Sequence, residues 1–293
     1  MAATQVPNTD YQSSMPTNVL PKQTRIGRTA LQVNDLEEIT GFYRDIVGLD
    51  VLQQSDISSV LGVEDTPLLI LEGDEDLSQR HSVGAGLFHN AFRVPSREAL
   101  GDALARVREY WELDGASDHG VSEALYLADP EGNGIEIYRD RPRTDWPRSD
   151  DGTVHMGTYP LDLDTVEADV AGDSGFPAGT DVGHIHLEVS SLEAFRDFYV
   201  DTIGFEVQEA DQSALFVSAG GYHHHIAGNT WNHRTEPVDG RGLLWFEVLI
   251  PDTEALDEIQ ARITDSLYSV TETEDGIAVA GPDEIEVRFR VEK

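Results

Sequence analysis

Ten histidines and no cysteine set what this chain can do with a metal ion. Without thiols there are no disulfides, zinc–thiolate sites, iron–sulfur clusters or cysteine nucleophiles, and His, Asp and Glu remain as plausible ligands. Three histidines run together in "GYHHHIAGNTW" (221–231): His223, His224 and His225. Consecutive residues of an extended strand point to alternate faces, so at most two of the three can look into one pocket. Which of them matters depends on the elements around them.

Those elements repeat. "IGRTALQVNDLEEITGFYRDIVGLDV" begins at Ile26 and "VGHIHLEVSSLEAFRDFYVDTIGFEV" at Val182, 156 positions later. Leu36 falls on Leu192, Phe42-Tyr43 on Phe198-Tyr199 and Gly48 on Gly204. A second pair keeps the offset: "GLFHNAFRVPSREAL" from Gly86 and "GLLWFEVLIPDTEAL" from Gly242, with Pro95 over Pro251. Two matches at one offset indicate a tandem duplication. Each matched segment reads as an alternating strand, an amphipathic helix and further strands. Asp35 is placed to cap the first helix and Gly48 to stop it.

The expected class is therefore α+β: four tandem βαβββ modules in two duplicated halves. The halves are expected at 24–141 and 181–293, joined by a Pro-, Gly-, Asp- and Thr-rich connector at 142–180, behind a polar N-terminal tail at 1–23.

Composition narrows the partners. The chain carries 55 acidic against 20 basic residues, a net charge of −35, and its only lysines are Lys22 and Lys293. The acids are scattered, and their repulsion opposes a compact state at low ionic strength. At molar salt the Debye length is only ~3 Å, so a high-salt cytoplasm is expected. Binding to nucleic acid is not expected, because nothing could neutralise a row of phosphates. No apolar run approaches the ~20 residues of a membrane-spanning helix, and the first residues lack a secretory signal pattern. Assembly into a homo-oligomer is left open.

Four βαβββ modules in two halves resemble the vicinal-oxygen-chelate superfamily, which includes glyoxalase I, bleomycin-resistance proteins and type I extradiol dioxygenases. The resemblance runs from about residue 24 to the end and implies incomplete barrels around a divalent metal. It places one ligand position on the first strand of each module, here Arg28, His89, His184 and Trp245, and implies a carboxylate ligand at Glu136 in "DPEGNGIEIYRD". His89, His184 and Glu136 would form a 2-His-1-carboxylate set, the ligand type of non-haem Fe(II) oxygenases. "DHGVSEALYLADPEGNGIEIY" looks like the last module of extradiol dioxygenases, which implies that His119 and Tyr126 are the His and Tyr beside their metal, His119 bonding the oxygen or the intermediate and Tyr126 the substrate oxygens. "DHGVSEALYL" and "SAGGYHHHI" are most similar to two-domain catechol 2,3-dioxygenases.

The resemblance implies Fe(II), with Mn(II) as a substitute, acting on a catecholic substrate with O2 in aromatic hydrocarbon catabolism. Two departures stand out. The ligands come from modules two and three rather than three and four, and the family's acid–base histidine falls on Ser218. Registering "GYHHHIA" on "GNGIEIY" puts His225 over Glu136, so His225 and His223 are expected to face the barrel and His224 to face away. His225 then supplies the missing proton function, or a fourth ligand for glyoxalase-like chemistry on Zn, Ni or Mn. His223 and His186 are candidate substrate contacts. Glu72 and Glu286 occupy the positions corresponding to Glu136 in modules one and four. A metal-free ligand-binding or resistance protein is the third reading.

Overall fold

A computed structural model describes residues 19–150 and 152–292, so most of the tail expected at 1–23 lies outside the described residues. Module one comprises β1 (Arg25–Val33), α1 (Leu36–Phe42), β2 (Asp50–Gln54), β3 (Ser58–Val63) and β4 (Thr66–Gly73). Module two has β5 (Gly86–Arg93), α2 (Arg97–Tyr110), β6 (Gly115–Asp118), β7 (Ser122–Ala128) and β8 (Gly134–Asp140). Between the halves lie β9 (Tyr159–Pro160) and α3 (Leu163–Glu167). Module three has β10 (Asp181–Glu188), α4 (Leu192–Arg196), β11 (Glu206–Ala210), β12 (Ala214–Ser218) and β13 (Ile226–Asn229). Module four has β14 (Gly242–Ile250), α5 (Thr253–Thr264), β15 (Val270–Glu272), β16 (Gly276–Ala280) and β17 (Glu286–Val291).

The local signals carry through. Asp35, Ser96, Ser191 and Asp252 each accept a hydrogen bond from a backbone N–H three residues on, capping α1, α2, α4 and α5. α1 and α4 both continue into a wider π-type turn that ends at a left-handed glycine, Gly48 (φ 101°) or Gly204 (φ 104°). That the same irregularity recurs in both halves is the duplication surviving at the level of backbone geometry. On α2, Leu100, Ala103, Leu104 and Val107 are buried at helical spacing. Truncating Leu104 to Ala would cost about 2–5 kcal/mol through the cavity it leaves.

The sheets do not divide along the halves. Modules one and four share an eight-stranded sheet ordered β2-β3-β4-β1-β14-β17-β16-β15. Modules two and three share a nine-stranded sheet ordered β11-β12-β13-β10-β5-β8-β7-β6-β9. Neither sheet closes on itself. In every module the last strand runs parallel to the first, and two first strands meet antiparallel at each seam, β1 with β14 and β10 with β5. The β5/β10 seam sets His186 opposite His89 and His184 opposite Ala91. Modules two and three thus face each other, as a ligand set drawn from both requires.

Candidate metal centre and cavity

Three strands converge on one buried point. His89 comes from β5, Glu136 from β8 and His184 from β10. His89 Nε2 lies 3.0 Å and His184 Nε2 3.2 Å from the same oxygen, Glu136 Oε2, and the two nitrogens are 3.3 Å apart. One face of an octahedron with ligand bonds of about 2.1 Å has edges of about 3 Å, so these donors fit a divalent cation. Among the described residues this is the one cluster of three or more His, Asp or Glu donors within reach of a single ion. His184 Nδ1 is buried without a hydrogen-bond partner, so the ring's polar contacts are those inside the cluster.

The charge state also suits a cation. Burial pushes His184 down to about 4, leaving it neutral at ordinary pH. For Glu136 burial opposes ionisation, but attraction to His184 and His89 overcomes it and holds the carboxyl well below the usual range. The result is a buried anion held by two imidazoles, and no Lys or Arg among the described residues pairs with it. An unpaired buried charge is costly, and a metal ion removes that cost.

Tyr126 lies directly across from Glu136 on β7. His119 Nδ1–H donates to Gly157 O at 2.6 Å, which fixes the tautomer, so Tyr126 O–H donates to His119 Nε2 at 2.7 Å. Burial, and then the Glu136 charge, push the Tyr126 phenol well above its usual value. Ser218, on the position of the family's acid–base histidine, is fully buried and donates to Tyr222 O, which leaves it no part in proton transfer.

The histidine run is where the expectation fails. His224, expected to face away, lines the cavity, with its ring 4.1 Å from that of His184. His225, expected to face in, does not line it: Ala219 N–H donates to His225 Nδ1 at 3.1 Å, and its ring stacks on Tyr222. His223 is also off the cavity, donating from Nε2 to Asp140 Oδ1 at 3.0 Å. Gly220 and Gly221 are both left-handed (φ 64° and 65°), the chain bends again at His225, and β13 begins only at Ile226. Strict alternation needs a continuous strand, and none exists here.

The register shifts as well. Glu136 pairs with Ala91, two residues beyond the His89 position; the matching partners in modules one, three and four are Ile70, Ala227 and Arg288. Glu72, His225 and Glu286 each sit two residues away from that position. A two-residue slip keeps the face but displaces the side chain by about 6.6 Å along the strand.

A cavity of about 430 Å³ opens over the cluster. His186 lines it and accepts at Nε2 from Asn229 Nδ2 at 3.0 Å. Phe88, Phe216 and Trp231 form an aromatic wall, and Met156–Thr158 of the connector complete the lining. Periodicity gave no sign of these residues. With Nε2–H of a neutral His223 engaged by Asp140, His223 Nδ1 accepts from His224 Nδ1–H at 2.9 Å. His224 Nε2 is then unprotonated, a hydrogen-bond acceptor on the cavity wall. The chain is anchored by Arg93, which pairs with both Asp140 and Asp181.

Comparison with known proteins shows the family. The Glyoxalase/Bleomycin resistance protein/Dioxygenase superfamily matches at residues 25–137 and 181–288. The chain belongs to that superfamily. It is 42% identical over 272 residues to a catechol-2,3-dioxygenase of Bacillus subtilis, covering 89% of this chain and 95% of that protein. It is 30% identical over 142 residues to biphenyl-2,3-diol 1,2-dioxygenase 3 of Rhodococcus globerulus, covering 47% and 74%. The fold is shared with a putative dioxygenase from Bacillus subtilis (TM-score 0.63, 17% identity, 91% and 84% covered) and with glyoxalase I from Zea mays (TM-score 0.58, 12% identity, 92% of each chain).

Among the described residues only one of the two sheets offers a metal position. The corresponding place in the sheet of modules one and four holds Arg28, Trp245 and Arg288, with the Arg288 guanidinium 4.0 Å and that of Arg28 5.8 Å from the Trp245 ring centroid. Stacked cations there repel a metal ion and add about 0.5–2 kcal/mol each of cation–π attraction. Among the described residues no helix is long and apolar enough to cross a membrane.

Proposed function

We propose that this chain is an extradiol ring-cleaving dioxygenase that uses Fe(II) and O2 on catechol or a substituted catechol. The observation that carries the reading is the meeting, in one cavity, of the His89–His184–Glu136 triangle with the His119–Tyr126 pair. The likeness to a catechol-2,3-dioxygenase along most of the chain supports the same reaction.

His89, His184 and Glu136 would hold the metal. When bound there, the ion supplies a Lewis acid and a shared point of attachment for the vicinal diol and O2. Mn(II) suits the same donors. The protein's own groups do the rest. Tyr126 O–H contacts the substrate oxygens, and His119 Nε2, with its tautomer held by Gly157 O, takes or returns a proton through that phenol. His224 Nε2 accepts a hydrogen bond from the ring hydroxyl on the opposite wall. The aromatic wall excludes water from the ring. Both atoms of O2 enter the product, a muconic semialdehyde, so no external reductant is consumed.

A glyoxalase-like lyase would need His225 as a fourth ligand, and the bend at that residue takes it out of reach. A metal-free ligand cup leaves the buried Glu136 charge without a reason. The test is anaerobic reconstitution with Fe(II), followed by catechol and air. A yellow product with stoichiometric O2 uptake is expected. Absence of both with Fe(II)- and Mn(II)-loaded protein overturns the proposal.

A further inference from the structure

The cavity also carries information about what may be attached to the catechol ring, and this inference rests on the dioxygenase reading. We infer that the substrates are uncharged catechols bearing an apolar substituent, and that carboxylated catechols are rejected. Two observations support it.

The first is the wall. Phe88 and Trp231 meet edge to face with centroids 5.3 Å apart, and His186 packs against both Phe88 (4.9 Å) and Phe216 (5.7 Å). Val121 and Met156 add aliphatic surface to the lining. About 430 Å³ exceeds what one dihydroxybenzene ring needs, and these apolar groups form a large part of the lining around it.

The second is charge. Glu209 and Asp211 both line the cavity, Glu209 half-buried and Asp211 exposed at its mouth. Asp211 is held below the usual carboxylate range by backbone N–H bonds from Ser213 and Ala214, and so is ionised. No Lys or Arg lines the cavity among the described residues. Residues 1–18 contain neither, and the only Lys or Arg beyond the described residues is Lys293. The neighbouring guanidiniums are committed elsewhere: Arg93 to Asp140 and Asp181, Arg141 to Asp118 and Glu123, Arg234 to Glu188. A substrate carboxylate would therefore give up water, find no cation, and face the acidic side chains of Glu209 and Asp211. Site specificity of this kind comes from repulsion as much as from attraction.

The experiment uses a matched pair, 3,4-dihydroxyphenylacetate and its methyl ester, which differ in charge and hardly in shape, together with catechol, 4-ethylcatechol and dopamine. Two readouts are taken in one buffer: kcat/KM of the Fe(II)-loaded protein, and affinity for the metal-free protein from quenching of tryptophan fluorescence. The acid is expected to fall at least 30-fold below the ester in both, and 4-ethylcatechol to match or exceed catechol. In Glu209→Gln/Asp211→Asn, whose amide oxygens still accept the local hydrogen bonds, the gap between ester and acid should narrow at least threefold. An acid within threefold of the ester while catechol is cleaved overturns this inference and leaves the dioxygenase reading standing. A preference for dopamine over 4-ethylcatechol overturns the apolar assignment. If no catechol is cleaved, the dioxygenase reading fails, and equal binding of acid and ester to the metal-free protein then overturns the inference on its own.

Discussion

Replacing Glu136 by Gln isolates one charge. The two carboxamide heavy atoms occupy the places of the carboxylate oxygens, and the side chain is buried between His89 and His184, so shape is nearly conserved while the anion is lost. In the metal-free protein this relieves a buried charge with only imidazole partners, so the variant should melt at or above the parent temperature. Metal reverses the order. A ligand present at 100 times its Kd stabilises the folded chain by about 2.7 kcal/mol. At about 2–4 °C per kcal/mol, that is a rise of roughly 5–10 °C. Glu136→Gln keeps two imidazoles and no anion, and its rise should be below about 2 °C, because ~0.5 kcal/mol or less of linkage remains. The assay is differential scanning fluorimetry in molar KCl, with chelator and with Fe(II) or Mn(II) under anaerobic conditions, alongside metal analysis after desalting. A variant that retains stoichiometric metal and the full melting shift would remove Glu136 from the ligand set, and with it the argument from the triangle.

Because the ligands straddle the β5/β10 seam, His184→Ala should lose metal as completely as His89→Ala, measured by metal analysis; retention in either would break the pairing. His224→Ala should lower kcat/KM for catechol at least tenfold with metal content intact. His225→Ala should retain metal and turnover and lose only about 1–2 kcal/mol of stability from a buried hydrogen bond; the opposite ranking would restore the alternation reading. Burial holds His184, His186, His224 and His225 below their usual value, His184 at about 4 and His225 at about 3. Unfolded, each takes a proton near pH 6.5, so below that pH the unfolded state binds more protons and stability falls as pH falls. At up to ~1.4 kcal/mol per group per pH unit, metal-free protein should lose several kcal/mol between pH 7.5 and 5.5; an unchanged denaturant midpoint would refute this. With a net charge of −35, melting temperature should climb steeply with KCl, and a flat profile would remove the high-salt argument.

What the sequence determined was whatever is local or periodic. The duplication offset, the caps at Asp35 and Ser96, the glycine stops at Gly48 and Gly204 and the α+β modules are all set by spacing and by backbone permissiveness within a few residues. His89, His184 and Glu136 were singled out by the family resemblance; the repeat by itself showed a histidine where the sister module has Arg28 or Trp245, and it set Glu72 and Glu286 at the place of Glu136 in modules one and four. Which modules share a sheet is a matter of long-range pairing, and only the β1/β14 and β5/β10 seams decided it. The order within the histidine run went the same way. Gly220 and Gly221 turn the chain, the bend at His225 shifts the face, and the β10/β13 register puts Ala227 rather than His225 on the Glu136 position. A period-two pattern assumes an unbroken strand, and a strand's register is fixed by its partner's hydrogen bonds, which no single segment of sequence contains. For the same reason Trp231, Glu209 and the connector residue Gly157 became neighbours of the site only once the sheet had curled around it.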